Sequence, residues 1–181
     1  RVKTIWVQEP EKIAATAAGV TGRLGTAFEF APDAAPGVRL LDRAYDDIAF
    51  GFDGRYGGFE PAPKFPTPHR LLFLLRCHDR TAEPRALEMV ERTLTAMRLG
   101  GIWDHVGFGV HRYSTDGRWL LPHFEKMLYD QALTAMACLE ASQVGRAPLP
   151  APAATEIFTY VLRDMTSPEG AFFSAEDADS E

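Results

Sequence analysis

The feature that most constrains the fold is a regular alternation of helical segments with connections of two lengths. Apolar residues recur at helical spacing, as in Leu87, Val90, Leu94 and Met97, and no segment shows the sustained alternation of a strand. This periodicity predicts five helices, over residues 38–50, 67–79, 83–98, 122–143 and 153–165. Short turns follow the second and fourth helices, whereas long polar or glycine-containing loops follow the others. The sequence therefore predicts an all-α fold built from helical hairpins.

Three of the long connections are alike. Residues 56–59, 99–102 and 169–172 each place small residues directly before a large apolar one. Any one of them taken alone is most simply a helix stop with glycine in the left-handed conformation. Three in the same phase favour a ring or solenoid of paired helices, with the long loops gathered on one face. That face is the expected location of a functional site.

The segment before the hairpins has a different composition. Residues 9–24 read as one amphipathic helix, and residues 31–37 are rich in Ala, Pro and Gly, as is typical of a linker. We therefore expect an amino-terminal helix and linker over 1–37 and the hairpin domain over 38–181. Because the chain begins at Arg1 rather than Met, we also expect it to be part of a longer protein.

Composition restricts the classes of partner. The chain has 46% hydrophobic residues, 24% charged residues and a formal net charge of -6, with Lys and Arg spread singly. This acidic balance argues against nucleic acid as a partner. No apolar run reaches the roughly 20 residues that cross a bilayer, so no membrane contact is expected. Cys77 and Cys138 each lie in an apolar helical pattern, which indicates core residues and suits a reducing cytoplasm.

The polar residues concentrate between Gly100 and Asp130. Three of the five histidines lie here, namely His105, His111 and His123, together with a glycine-rich loop. Imidazole next to carboxylate is the usual pairing for proton transfer near neutral pH. Arg112 and Trp119 suit a sugar site, because a guanidinium donates to hydroxyl or carboxylate oxygens and an indole face stacks on a pyranose ring.

The start of the helix predicted at 122–143 carries the sharpest hypothesis. Pro122 suits a first helical position, so His123 and Glu125 would lie in the first turn. The positive end of the helix dipole there favours a neutral imidazole and an ionised carboxylate, which suits a base. The alternative is structural: His123 caps the helix from a buried position and Glu125 is a surface charge that compensates the dipole.

No metal site or cofactor is predicted. The spacing of His105, His111 and His123 matches no familiar zinc pattern. An acidic run near the end of the chain resembles half of a calcium loop, but it lacks the glycine at the sixth position and the glutamate at the twelfth. This run consists of Glu176, Asp177, Asp179 and Glu181. It is either a solvated acidic loop or a carboxylate cluster that faces the site.

Three segments carry a resemblance to a known family. They read GGFEPAPKFPTPHRLLFLLR, GGIWDHVGFGVHRYSTDGRWLLPHFEKMLYDQA and GAFFSAEDADSE. They closely resemble signature segments of the spermatogenesis-associated, thioredoxin-domain-containing protein family, over roughly residues 45–181. Phe108, Glu60 and Ala171 depart from that pattern where glycine is usual.

The resemblance implies a fold and partners. In that family a thioredoxin-like domain precedes an α/α toroid of six hairpins, similar to N-acylglucosamine 2-epimerase and to six-hairpin glycosidases. Residues 38–181 would then form about the first half of such a toroid. The open edge of half a ring should be apolar, so we expect possible self-association of this segment.

Two classes of function follow. The first is an enzyme on carbohydrate, preferably a sugar epimerase or isomerase, alternatively a glycosidase that uses Glu125 with Asp177 or Asp179. The second is a non-catalytic module that binds sugar or protein and is attached to the thioredoxin-like redox domain. The expected catalytic residues are His123, Glu125, His111 and Asp177. The expected substrate-binding residues are His105, Arg112, Tyr113, Trp119, Asp130, Glu176 and Asp179.

Overall fold

The computed structural model describes residues 2–27, 37–145 and 147–179, which divide into two units, Arg1–Val38 and Arg39–Glu181. The first unit contains helices α1 (Val2–Gln8) and α2 (Pro10–Ala27). Helix formation therefore begins earlier than the expected residue 9, and the break falls at Glu9, directly before Pro10, which lacks the amide hydrogen that a continuous helix needs. Most of the linker predicted at 31–37 lies outside the described residues.

Five helices follow among the described residues from Val38 onward. They are α3 (Val38–Phe50), α4 (Pro68–Thr81), α5 (Pro84–Leu99), α6 (Leu128–Val144) and α7 (Pro150–Asp164). Proline stands at the start of α4, α5 and α7, where its missing amide hydrogen costs nothing. Helices α4 and α5 pair across a short turn, as do α6 and α7, and α4 packs on α6 while α5 contacts α7. The hairpin architecture is confirmed.

The core lies between these helices. Leu71 and Leu74 of α4, Met89 of α5 and Ile157 of α7 are at most 1% exposed. Cys77 and Cys138 are free and buried, as expected, and burial raises the pKa of the Cys138 thiol to about 12. A thiol held protonated in this way is a packing group rather than a nucleophile.

In the part of the chain that the structure describes, four two-residue strands cross the long loops. They are β1 (Tyr113–Ser114), β2 (Pro122–His123), β3 (Lys126–Met127) and β4 (Ala175–Glu176). Strand β1 pairs antiparallel with β2, and β3 pairs antiparallel with β4. These pairs fix the loops on the side of the hairpins that carries the candidate site.

The strands correct the helix start predicted at Pro122. Pro122 and His123 lie in β2, and α6 begins only at Leu128, after an extended Met127. Helix-dipole stabilisation of His123 and Glu125 was therefore a wrong prediction. The local signal of a proline before an amphipathic run was outweighed by backbone pairing with β1 and β4, which lie elsewhere in the chain.

A buried lysine joins three of the loop segments. Lys64 is 1% exposed, and its Nζ donates to Asp53 Oδ2 at 2.7 Å, to the Gly57 carbonyl at 2.7 Å and to the Gly117 carbonyl at 3.0 Å. The neighbouring Gly58 has φ +81°, and a Cβ there would lie 2.7 Å from the Trp119 ring. The glycine pair at 57–58 is thus required by close packing around Lys64 as well as by the turn.

Candidate functional site

The long loops enclose an open depression of about 460 Å³. Two expected site regions, His111 and the acidic run, meet there because β3 and β4 pair Lys126 with Glu176. Its walls are formed by Asp104, His111, Phe124, Lys126, Glu176 and residues 177–179. Its concave shape, its convergent polar groups and the exposed ring of Phe124 make it a candidate ligand site.

His111 is suited to accept a proton in this depression. It is 7% exposed, and its Nδ1 lies 3.1 Å from the Phe124 carbonyl oxygen. Because a carbonyl only accepts, Nδ1 carries the hydrogen and Nε2 keeps the basic lone pair. Burial and the positive charge of Lys126 lower the pKa of His111, so the imidazole is neutral at neutral pH.

Lys126 anchors the floor of the depression. Its side chain is 6% exposed, and Nζ donates to Asp104 Oδ2 at 2.8 Å and to the Phe108 carbonyl at 3.0 Å. The same ammonium lies 4.2 Å from the centre of the Tyr160 ring, a cation–π distance. Tyr160 in turn donates its hydroxyl hydrogen to Glu176 Oε2 at 2.5 Å. This chain of contacts connects the 104–111 loop, the start of α6 and the carboxyl-terminal loop.

Asp104 is held as an anion beside this lysine. Burial opposes its ionisation, but hydrogen bonds from Lys126 and from the backbone amides of Gly107 and Val106 outweigh burial and lower the Asp104 pKa to about 2. Ionised Asp104 balances the ammonium, which allows a lysine to remain charged while almost fully buried.

A second polar group lies at the beginning of α6. Arg112 donates to Glu125 Oε2 at 2.6 Å, and the backbone amide of Arg112 donates to the Glu125 carbonyl at 2.8 Å. Burial raises the pKa of Asp130 to about 7, although Arg112 partly offsets this rise. Asp130 is 6% exposed, and no hydrogen bond among the described residues involves its carboxyl group.

Tyr113 and His123 form an aromatic stack beside these groups. Their ring centres lie 4.9 Å apart at an interplanar angle of 17°, and Phe65 contacts the Tyr113 ring at 5.0 Å. The Nδ1 atom of His123 is buried without a hydrogen-bond partner in the described part of the chain. This stack and the Arg112–Glu125 pair lie outside the lining of the depression.

Two expected binding residues are placed elsewhere. Trp119 is 0% exposed, and its indole Nε1 donates to the Tyr56 carbonyl at 2.8 Å, so the ring has no free face for a sugar. His105 lies in an exposed turn, with Nδ1 2.9 Å from Arg98 and Nε2 3.0 Å from the Gly100 carbonyl. Sugar stacking on Trp119 is therefore corrected to a core role, since the indole was needed to pack around Lys64.

The sequence interpretation missed three lining residues. Lys126 and Asp104 form the buried ion pair, and Phe124 presents a ring that is 59% exposed. The sequence signal was weak, because the segment HFEKML also contains His123 and Glu125, and a lysine in such a polar stretch is normally exposed. In the described ranges no group of three or more His, Cys, Asp or Glu side chains is arranged to hold a metal ion. None of the described helices has the length and apolar character to cross a membrane.

Comparison with solved structures identifies the fold. Cellobiose 2-epimerase from Bacillus thermoamylovorans matches with a TM-score of 0.64 at 14% identity, over 77% of this chain and 41% of that chain. The cellobiose 2-epimerase of Spirochaeta thermophila also has a TM-score of 0.64, at 17% identity, over 78% of this chain and 41% of that one. D-mannose isomerase matches with a TM-score of 0.54 at 17% identity, over 76% of this chain and 34% of that chain. The fold is thus about half of the α/α toroid found in these sugar epimerases and isomerases.

Comparison with known sequences then identifies close relatives. Spermatogenesis-associated protein 20 of Homo sapiens is 48% identical over 143 residues, which cover 77% of this chain and 18% of that protein. The Mus musculus protein of the same name is 46% identical over 150 residues, covering 81% and 19%. No family model matches the sequence. The chain is thus a homologue of spermatogenesis-associated protein 20 over about four fifths of its own length, and it spans about a fifth of the length of these relatives.

Proposed function

We propose that this chain supplies part of a carbohydrate site that catalyses epimerase- or isomerase-like proton transfer. The observation that supports this best is His111, a neutral imidazole whose Nδ1 faces the Phe124 carbonyl and whose ring lines the depression. A base of this kind removes a proton from the carbon beside a carbonyl, and return of the proton to the other face inverts that carbon. The toroid fold of the epimerases is consistent with a carbohydrate ligand.

The other groups have supporting roles in this proposal. Burial, and after it the charge of Lys126, lowers the pKa of His111, so Lys126 is a positioning residue rather than a catalytic one. Glu176, Asp177 and Asp179 accept hydrogen bonds from sugar hydroxyl groups. The second proton-transfer group that epimerisation requires is assigned to Asp177, a carboxylate of the lining, because His123 and Glu125 lie outside that lining.

Deuterium exchange tests the proposed proton transfer. The full-length protein is incubated in D2O with aldoses, ketoses and N-acylhexosamines, and NMR follows the hydrogen on the carbon beside the carbonyl. We expect that signal to decay with the wild-type protein and to persist with His111→Gln. His105→Gln is the matched control, since it makes the same change in an exposed turn outside the depression. Equal exchange by wild type and His111→Gln would remove His111 as the base.

Glycoside hydrolysis is the second candidate, and a specific pair of groups favours it. The raised pKa of Asp130, about 7, keeps this carboxyl partly protonated near neutrality, while the Glu125 carboxyl group accepts a hydrogen bond from Arg112 at 2.6 Å. An acid beside a carboxylate is the combination that glycosidases require. We expect release of aryl alcohol from aryl glycosides to be lost in Asp130→Asn if hydrolysis is the activity, and deuterium exchange to be absent.

We further propose the domain organisation that the family implies. Residues 38–181 would form the first half of the toroid, and a thioredoxin-like domain would precede residues 1–37 in the longer protein. In the non-catalytic alternative the toroid presents sugar or a partner protein to that redox domain. Sugar binding with neither exchange nor hydrolysis supports this alternative.

A further inference from the structure

The depression carries an excess of negative charge. Four carboxylates line it, from Asp104, Glu176, Asp177 and Asp179, and Lys126 contributes the ammonium. Lys126 is already committed to Asp104, to the Phe108 carbonyl and to the Tyr160 ring, so it is not available to pair with an incoming anion. With His111 neutral, the lining residues leave three uncompensated negative charges facing the ligand.

Besides the negative charge, the depression has two features that indicate a ligand site: a buried histidine and an exposed aromatic ring. His111 is more than nine-tenths buried, lines the depression, and has no hydrogen-bond partner for Nε2 among the described residues. Phe124 offers a ring that is 59% exposed and stands edge-on to His111 at 5.2 Å. An aromatic face next to a polar cluster suits the C–H face of a pyranose ring.

We propose that the depression selects sugars without anionic groups and binds amino sugars with a free ammonium most tightly. This inference rests on the proposed function, because it names the substrate class of the same site. An ammonium forms charge-assisted hydrogen bonds with Glu176, Asp177 or Asp179. Sugar phosphates and sugar acids would instead place a second anion against these carboxylates, without a free cation to compensate it.

A charge series on one pyranose framework provides the test. Calorimetry with the full-length protein at about pH 6 and low salt would compare glucosamine, glucose, glucuronate and glucose 6-phosphate, with N-acylated glucosamine as the uncharged control. We expect glucosamine to bind about tenfold more tightly than glucose, and glucuronate about tenfold more weakly. The phosphate ester should bind more weakly still, and 0.5 M salt should compress the series by about threefold or more.

Variants localise the effect to the depression. Asp179→Asn removes one of the lining charges, so the difference between glucosamine and glucuronate should narrow severalfold. Asp79→Asn makes the same change on α4, at an exposed position outside the depression, and should leave that difference unchanged. Narrowing by both variants to the same extent would show a general charge effect and would overturn the proposal.

The outcomes separate this inference from the proposed chemistry. Sugar binding in the expected charge order without deuterium exchange would support the inference and refute proton transfer. Deuterium exchange or sugar binding that does not depend on the charge of the sugar would refute this inference alone. Tighter binding of the anionic sugars would also refute this inference alone. Absence of binding by every sugar in the series would overturn both proposals.

Discussion

Lys126→Met should destabilise the chain in a way that depends on pH. The side chain of Lys126 is 6% exposed and that of Asp104 25%, so the variant leaves a half-buried carboxylate without its ammonium partner. Breaking a buried pair costs about 3–5 kcal/mol. We expect the free energy of unfolding to fall by about 3 kcal/mol at pH 7. This value is at the lower end of the range, because the backbone amides of Val106 and Gly107 still donate to Asp104.

The pH dependence follows from the Asp104 carboxyl. Its pKa is lowered from 3.8 to about 2 in the folded state, which corresponds to about 2 kcal/mol of stabilisation. A lowered folded-state pKa stabilises above the unfolded value of 3.8, and that contribution is lost as pH falls through 3.8 towards 2. Lys126→Met removes much of this lowering of the Asp104 pKa. The difference in the free energy of unfolding between the variant and wild type should therefore become smaller as pH falls through the same interval.

Urea unfolding followed by circular dichroism, repeated from pH 7 down to pH 3, measures this difference. Lys12→Met is the matched control, because the Lys12–Glu9 pair is 75% and 52% exposed and should contribute little. Asp104→Asn tests the same pair from the other side if Lys126→Met does not fold. A loss below about 1 kcal/mol, or one that is equal at pH 7 and pH 3, would refute the reasoning.

Three further predictions concern the site and its support. Asp130→Asn should be more stable than wild type by about 2–4 kcal/mol above pH 7 and equally stable at pH 4. The reason is that the pKa of Asp130 is raised in the folded state, so an ionised Asp130 destabilises the fold. Urea unfolding at both pH values tests this prediction. Phe124→Leu should weaken sugar binding about fivefold, measured by calorimetry, and should leave the stability unchanged. Phe158 is an exposed aromatic residue on α7, and Phe158→Leu should change neither sugar binding nor stability. Gly109→Ala should lower the melting temperature, because Gly109 has φ +85° and a methyl group would lie 2.9 Å from two buried side chains; Gly117→Ala, with open space, should not.

The accuracy of the helix predictions depended on how local their signals are. The bounds predicted for α3 are those observed, and α4 and α5 begin and end within two residues of expectation. Apolar spacing and proline at the first turn carry this information within the segment itself. The start of α6 was wrong by six residues, because its apparent first turn is drawn into two strand pairs.

The candidate site was predictable in composition but not in arrangement. His111 and the acidic run were predicted as site residues of the long loops, and the structure brings them into one depression. Trp119 was equally compatible with a core or a ligand surface, and only packing around Lys64 decided for the core. Lys126 was overlooked, because lysine is normally exposed and its compensating Asp104 is distant in sequence.

The sequence by itself determined the helical hairpins, their order and the gathering of polar residues in the long loops. These properties depend on periodicity, proline and glycine positions and turn lengths, all of which act over a few residues. Only the tertiary structure decided which polar groups line the depression and which are buried as ion pairs. It also decided that Trp119 packs in the core. That choice depends on contacts such as Lys126 with Glu176, which join distant segments and compete with local preferences through burial and charge compensation.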